Sequence, residues 1–393
     1  MLAVVWLVGA VLLALLAHRW VPPLLSVPAM VGAGLLTGAV HLEPAGRAIR
    51  ELAAPLGFLV AAVPLAVLLD HIGFFDALAT RFGDGPRLLP GLWCLAAVVT
   101  TVLNLDASIV LLTPLYIRIA QRSERDPYRL AFIPVLLATL ASSALPVSNL
   151  TNLIVAEQTS TGVGDFLAHL GPASLLAVLV GWWAFRRLPE GSPAVVESTA
   201  APTAVDERRA MRTGTPAVLV LLLGFTIGDA VGIPAWAVAG AVALALMAAT
   251  RAVPWRSLPL EAVVVAAGLA VLASAASAHL ALDRVVGMPG VSGDVRTAAS
   301  AIIGANAVNN LPALLVGLPH LDDRSVWPFL AGVNFGPVLW VYGSLAGLLW
   351  MNIVRSHGLR MTPATYARTG WRVGLPALAV AMPATVLMAA LLG

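Results

Sequence analysis

The sequence predicts an all-α polytopic membrane protein, with about ten transmembrane helices of ~20 apolar residues each plus two re-entrant hairpins arranged as an inverted repeat. Three observations predict it. Of 393 residues, 59% are hydrophobic and 11% charged, and the mean hydropathy is +0.90; a soluble domain carries about 25% charge. Two apolar runs are interrupted at their centres by polar residues, which lipid does not tolerate. Finally, the basic residues divide unequally between the two sides of the bilayer that these runs define. The composition excludes a soluble enzyme, a disordered chain and a nucleic-acid binder, and there is no pattern of short alternating strands for a β-barrel.

Apolar runs place spanning helices near 2–18, 24–41, 51–70, 130–157, 172–187, 214–229, 234–250, 259–282, 326–354 and 371–392. The run from Leu2 lacks a basic leader, so it reads as a first spanning helix rather than a signal peptide. The two interrupted runs are 88–119, broken at Asn104-Leu105-Asp106, and 296–320, broken at Asn306 and Asn309-Asn310. A polar centre is tolerated where the chain re-enters as a hairpin and its tip lines a cavity. Two further helices break midway, the first at Pro146 to Asn152 and the second at Gly332 to Pro337. Proline removes a backbone donor and glycine loosens the helix there.

The net charge is +3, and all 23 basic residues are arginines. With both hairpins returning to their own side, most arginines, from Arg19 to Arg372, fall on one side. Arg47, Arg50, Arg284, Arg296 and Arg324 fall on the other. The arginine-rich side is then cytoplasmic, both termini lie outside, and the protein is a multi-pass resident of the cell membrane. The single cysteine, Cys94, permits neither a disulfide nor a thiolate metal site.

This topology divides the chain into a first repeat over 1–188 with a cytoplasm-facing hairpin at 88–119, a polar cytoplasmic linker over 189–213, and a second repeat over 214–393 with an exterior-facing hairpin at 296–320. The second begins on the opposite side from the first. Asn104 to Pro114 also lies on Asn309 to Pro319 without a gap. Inverted repeats with interrupted helices are the architecture of secondary transporters, and four polar breaks are expected to converge near the midplane. The segment from Ser160 to Leu170 is expected to be a short amphipathic helix along the outer interface.

The side chains at the breaks are Asn104, Asp106, Ser108, Ser148, Asn149, Thr151, Asn152, Asn306, Asn309, Asn310 and Asn334. All are neutral donors and acceptors except Asp106, and an ionisable group at bilayer depth is a functional candidate by default. Asp is also a favoured helix N-cap, and the two roles are compatible. Asp70, Asp229, Asp283 and Glu261 fall at helix ends, where snorkelling costs little. No phosphate-binding loop, zinc-protease motif or nucleophile elbow is present, so no catalysis, cofactor or metal is expected. Uphill transport must run on an ion gradient or a separate ATPase.

Asn104-Leu-Asp-Ala-Ser-Ile-Val-Leu-Leu-Thr-Pro, Leu145-Pro-Val-Ser-Asn-Leu-Thr-Asn-Leu-Ile-Val-Ala156, Asn306-Ala-Val-Asn-Asn-Leu-Pro-Ala313 and Gly343-Ser-Leu-Ala-Gly-Leu-Leu-Trp350 resemble the arsenite/antimonite efflux permeases of bacterial arsenical resistance. These belong to the ion-transporter superfamily, with the divalent anion:sodium symporters and some sodium/proton antiporters. The resemblance implies an elevator mechanism and proton-coupled export of trivalent arsenic or antimony. In some members an ATPase subunit energises export, and homodimers are common in the superfamily. It puts Asp106 in the coupling role, with Asn149, Thr151, Asn152, Asn309 and Asn310 lining the site. The first tip departs from the usual Asn-Asp-Gly-Ala, with the asparagine of Asn104-Leu105-Asp106-Ala107 one place earlier. A sodium/proton antiporter and a sodium-coupled anion symporter are the alternatives within the superfamily.

Overall fold

The computed structural model describes residues 2–16, 22–189, 207–228, 232–277, 279–280 and 282–392, and every regular element among them is helical. The first half holds α1 (Leu2–Leu16), α2 (Pro23–Leu36), α3 (Leu42–His71), α4 (Phe74–Ala79), α5 (Leu88–Val102), α6 (Leu105–Ala107), α7 (Thr113–Arg122), α8 (Pro127–Leu140), α9 (Leu150–Thr159) and α10 (Val163–Phe185). The second holds α11 (Glu207–Ile227), α12 (Ala235–Thr250), α13 (Leu260–Ser277), α14 (Val291–Val308), α15 (Asn310–Gly317), α16 (Val326–Phe335), α17 (Leu345–Ser356) and α18 (Pro363–Leu392). Arg19, Asp229 and residues 190–206 of the expected linker lie outside the described residues.

Among the described residues four helices are long and apolar enough to cross a membrane: α3, α10, α18 and the stretch Trp255–Ser277 that contains α13. Several other apolar helices are shorter because the chain breaks at the polar sites. Several boundaries differ from the hydropathy reading, and three of them bear on the charged residues and the outer interface. The third helix starts at Leu42 rather than near 51, its polar first turn holding the ion pair Glu43–Arg47 at 3.1 Å. The segment from Ser160 to Leu170 is no separate surface helix. Ser160, at φ 54°, ends α9, and the chain from Val163 onward is the first turns of α10. Here the Gly162 N–H donates to Asp165 Oδ2 at 2.8 Å and caps the new helix. The eleventh helix begins at Glu207, so Arg208, Arg209 and Arg212 are helical rather than linker residues.

Both interrupted runs fold back on themselves. In the first, Tyr116 on α7 donates its hydroxyl hydrogen to the Leu92 carbonyl on α5 at 2.6 Å. Those residues lie equally far on either side of Asn104, so the arms are antiparallel about that tip. The helix beyond the tip widens to π geometry over Ser108–Leu112. Pro114 lies just past that stretch and has no N–H to donate back to it. In the second hairpin, Gly304 on α14 faces Ala313 on α15. A Cβ added at Gly304 would lie 3.4 Å from that of Ala313, so the small residue permits the close approach.

The helices pack as two groups. Helices α1, α2, α3, α11, α12 and α13 pack on one another. The two hairpins, the broken pairs α8–α9 and α16–α17, and the helices α10 and α18 form the other group. The second group is pinned by aromatic packing. Trp350 on α17 is fully buried, donates to the Ala131 carbonyl of α8 at 2.6 Å, and packs against Phe132 and Tyr366.

Candidate functional site

Four helices begin at the breaks, and each is capped by a polar side chain in extended or strained backbone. Asn104 accepts from the Ala107 N–H at 2.6 Å, and Asn149 from the Thr151 N–H at 3.2 Å. Asn309 accepts from the Leu311 N–H at 3.4 Å, and Ser344 from the Gly347 N–H at 3.0 Å. Asn, Ser and Asp are the residues best suited to take up the orphan N–H groups of a first turn. These caps explain locally why the helices restart where they do.

All four restarts meet at one cavity of about 520 Å³ between the two helix groups. Its polar wall is made of Asn104 and Asp106 from the first tip, Asn149 and Thr151 from the first broken helix, Asn310 from the second tip and Ser344 from the second broken helix. The facing wall is apolar, with Phe58 on α3, Phe225 on α11 and Trp236 on α12. Phe58 and Phe225 meet edge to face at 5.6 Å between centroids. Asp106 is the one charged side chain among the lining residues, and its carboxylate has no hydrogen-bond or ion-pair partner among the described residues.

The other polar residues singled out from the sequence lie behind this wall. Asn334, 1% exposed near the end of α16, joins the two broken helices. Its Oδ1 accepts from Thr151 Oγ1 at 2.6 Å and from Asn149 Nδ2 at 3.2 Å, and its Nδ2 donates to Asn152 Oδ1 at 2.6 Å. Asn152 Nδ2 donates to the carbonyls of Ser142 and Leu145 at 2.9 and 2.8 Å, so its amide is fully engaged by protein. The Ser148 hydroxyl lies on the same two carbonyls at 2.9 and 2.6 Å. Asn309 Nδ2 donates to the Tyr342 carbonyl at 3.1 Å and ties the second tip to the second break. Asn306 Nδ2 does the same to the Gly336 carbonyl at 2.9 Å. Ser108 is buried in the π segment with its hydroxyl unpaired.

Two features of the cavity escaped the sequence reading. Ser344 carried a signal, a serine directly before an apolar run, as an N-cap should be. The apolar wall carried none, because an aromatic facing a cavity has the same helical periodicity as one facing lipid.

The comparisons with known proteins fit this arrangement. A protein-family model described as a citrate transporter matches residues 1–343. Along nearly its whole length the chain is similar to proteins named arsenical pump membrane protein. It is 27% identical over 423 residues to one from Escherichia coli strain K12, with 97% of this chain and 98% of the relative covered. A second from Escherichia coli is 28% identical over 428 residues at the same coverage. One from Yersinia enterocolitica is 25% identical over 416 residues, covering 95% and 96%.

Proposed function

The chain belongs to the citrate transporter family, and from that premise we propose that it exports arsenite and antimonite across the cell membrane in exchange for protons. The observation that carries this reading is the cavity's polar wall: amides and hydroxyls, one carboxylate, and no basic side chain among the lining residues. Arsenite at neutral pH is an uncharged trihydroxide, which donates and accepts hydrogen bonds as amides and hydroxyls do. Asn104, Asn149, Thr151, Asn310 and Ser344 hold the solute in this account. Asp106 takes up a proton when the solute leaves and gives it up when the solute binds.

The separation of polar and apolar walls supports an elevator movement. The group bearing the hairpins carries the solute, and the Phe58–Phe225–Trp236 face, which offers it no polar partner, is the static surface along which it slides. We place the arginine-rich end in the cytoplasm. Corresponding helices of the two halves pack on each other, α3 on α13 and α10 on α18, which supports the inverted repeat.

One observation favours a second reading. Four helix N-termini point at the cavity, and each carries about half a positive charge. With Asp106 protonated they suit a small anion, as in a sodium-coupled anion symporter. A fully charged tricarboxylate has more negative charge than those termini offset, and an ionised Asp106 adds to the repulsion. Expression in a host without its own arsenite exporter separates the readings. Raised tolerance to arsenite and antimonite, lost in Asp106→Asn, is expected; unchanged tolerance with gain of sodium-dependent uptake of a small anion such as sulfate would replace this reading by the second.

A further inference from the structure

At the arginine-rich end, away from the cavity, a second cluster of ionisable groups joins the two helix groups. Asp70 near the end of α3 receives Arg118 of α7 in a two-pronged contact, Nε to Oδ1 at 2.9 Å and Nη2 to Oδ2 at 2.6 Å. Asp76 of α4 lies 3.6 Å from the same guanidinium. His357, at the C-terminal end of α17, reaches Asp70 Oδ2 with its Nε2 at 3.5 Å, and its side chain is 4% exposed.

The geometry dictates where hydrogens sit on that ring. His357 Nδ1 lies 2.8 Å from the Ile353 carbonyl oxygen, which can only accept, so Nδ1 carries a hydrogen. The Ser356 hydroxyl donates to the same carbonyl at 2.8 Å. A neutral ring would then present the bare Nε2 lone pair to the Asp70 carboxylate in a buried contact, and Nε2 has no hydrogen-bond partner of its own. The imidazolium makes both contacts favourable, and a positive charge also suits the end of a helix. Two carboxylates share the partly buried Arg118 guanidinium.

The surrounding charges are few. Besides Asp70, Asp76 and Arg118, Arg122 of α7 faces Asp76 from the exposed rim. Arg355, on α17 itself, sits 4.0 Å from Glu261 of α13. Arg129 of α8 is turned toward the Phe185 ring at 5.6 Å.

We propose that His357 and Asp70 form a proton-binding site, occupied in this conformation, whose proton ties the α17 end of the cavity-bearing group to α3. The proton adds to Nε2 as it arrives from the cytoplasmic solution and returns there when it leaves. Its loss sets a lone pair against a carboxylate and removes one of the two ties on Asp70, leaving the Arg118 contact alone to hold the cavity-bearing group to α3. The inference rests on the reading of the chain as a proton-linked exporter only for its consequence on transport; the site itself stands on the ring's contacts.

Two measurements test it, one of them needing no solute. In full-length protein bearing Cys94→Ser, spin labels at Arg256→Cys and Arg360→Cys report the distance between the two helix groups by pulsed electron resonance. On going from acid to alkaline buffer, the distribution is expected to broaden or shift. His357→Gln, a permanent neutral donor, is expected to hold the low-pH distribution at both pH values. His357→Phe, which keeps the ring and removes both nitrogens, is expected to hold the high-pH one. In everted vesicles, arsenite uptake is expected to rise severalfold over the same change and to be flat in His357→Gln. A wild-type distribution that ignores pH, or variants that follow its pH dependence, would overturn the proton site. A pH-dependent distribution in a protein that carries no arsenite would leave the site standing and overturn the proposed function instead.

Discussion

Replacing Asn334 by alanine removes the amide that joins the two broken helices, and the structure sets the size of the effect. Three hydrogen bonds disappear, to Asn149, Thr151 and Asn152. The losses are unequal. Thr151 and Asn149 border the cavity, where water can replace the lost partner, and Asn149 keeps the Ser142 hydroxyl at 3.4 Å. Asn152 is wholly buried, and its Oδ1 loses the donor it had. An orphaned buried acceptor costs ~1–3 kcal/mol and each rehydrated bond ~0.5 kcal/mol, so Asn334→Ala should destabilise by about 3 kcal/mol. Thermal unfolding of the purified protein in detergent should show a fall of several degrees. Arsenite uptake in proteoliposomes should show a raised KM, because Asn149 and Thr151 lose the partner that orients them. The decisive comparison is the double variant with Asn152→Ala. Removing both partners leaves no orphan between them, so the double variant should be more stable than the sum of the singles predicts by ~1–2 kcal/mol. Strict additivity, or an Asn334→Ala protein as stable as wild type, would refute the reasoning.

Other consequences follow from the same caps and bonds. Asn309 holds φ 83° and ψ 149°, a region only glycine enters freely, at a cost of ~1–3 kcal/mol. Asn309→Gly should therefore be more stable than Asn309→Ala in detergent unfolding, since both lose the cap and only glycine sheds the strain; the reverse order would contradict it. Ser344→Ala should cost about 1 kcal/mol through the lost cap of α17, with Ser344→Asn restoring it. Asp322 and Ser325 bond reciprocally ahead of α16, and the Ser325 hydroxyl holds the Asp322 carboxyl below its ordinary value of 3.8. A carboxyl lowered on folding contributes stability above that value and loses it as pH falls through and below it. The melting temperature should drop more steeply below about pH 4 in wild type than in Asp322→Asn.

The all-helical class and the hairpins were legible because polar residues inside apolar runs have no cheap place in lipid, and Asn104-Leu105-Asp106 and Asn309-Asn310 say so locally. Their folding back follows from the same argument, and Tyr116 on one arm bonds the Leu92 carbonyl on the other across Asn104. Which asparagines face the cavity was not legible. Asn149 and Asn152 share one turn of chain, yet the first borders the cavity and the second is turned onto Ser142 and Leu145. That choice depends on Asn334, 182 residues away from Asn152. No local pattern encodes a pairing at that distance. The helix starts at Leu42 and Glu207 were missed for a simpler reason: hydropathy marks where lipid begins, and a polar first turn extends past it.

The central claim is that this chain alone moves an uncharged arsenic trihydroxide against a proton. Purified protein in proteoliposomes, with a pH gradient imposed and no nucleotide present, tests it directly. The account predicts arsenite accumulation in the compartment from which protons leave, collapsing when the gradient is dissipated and absent in Asp106→Asn. Arsenite flux indifferent to the gradient, or retained in Asp106→Asn, would contradict it.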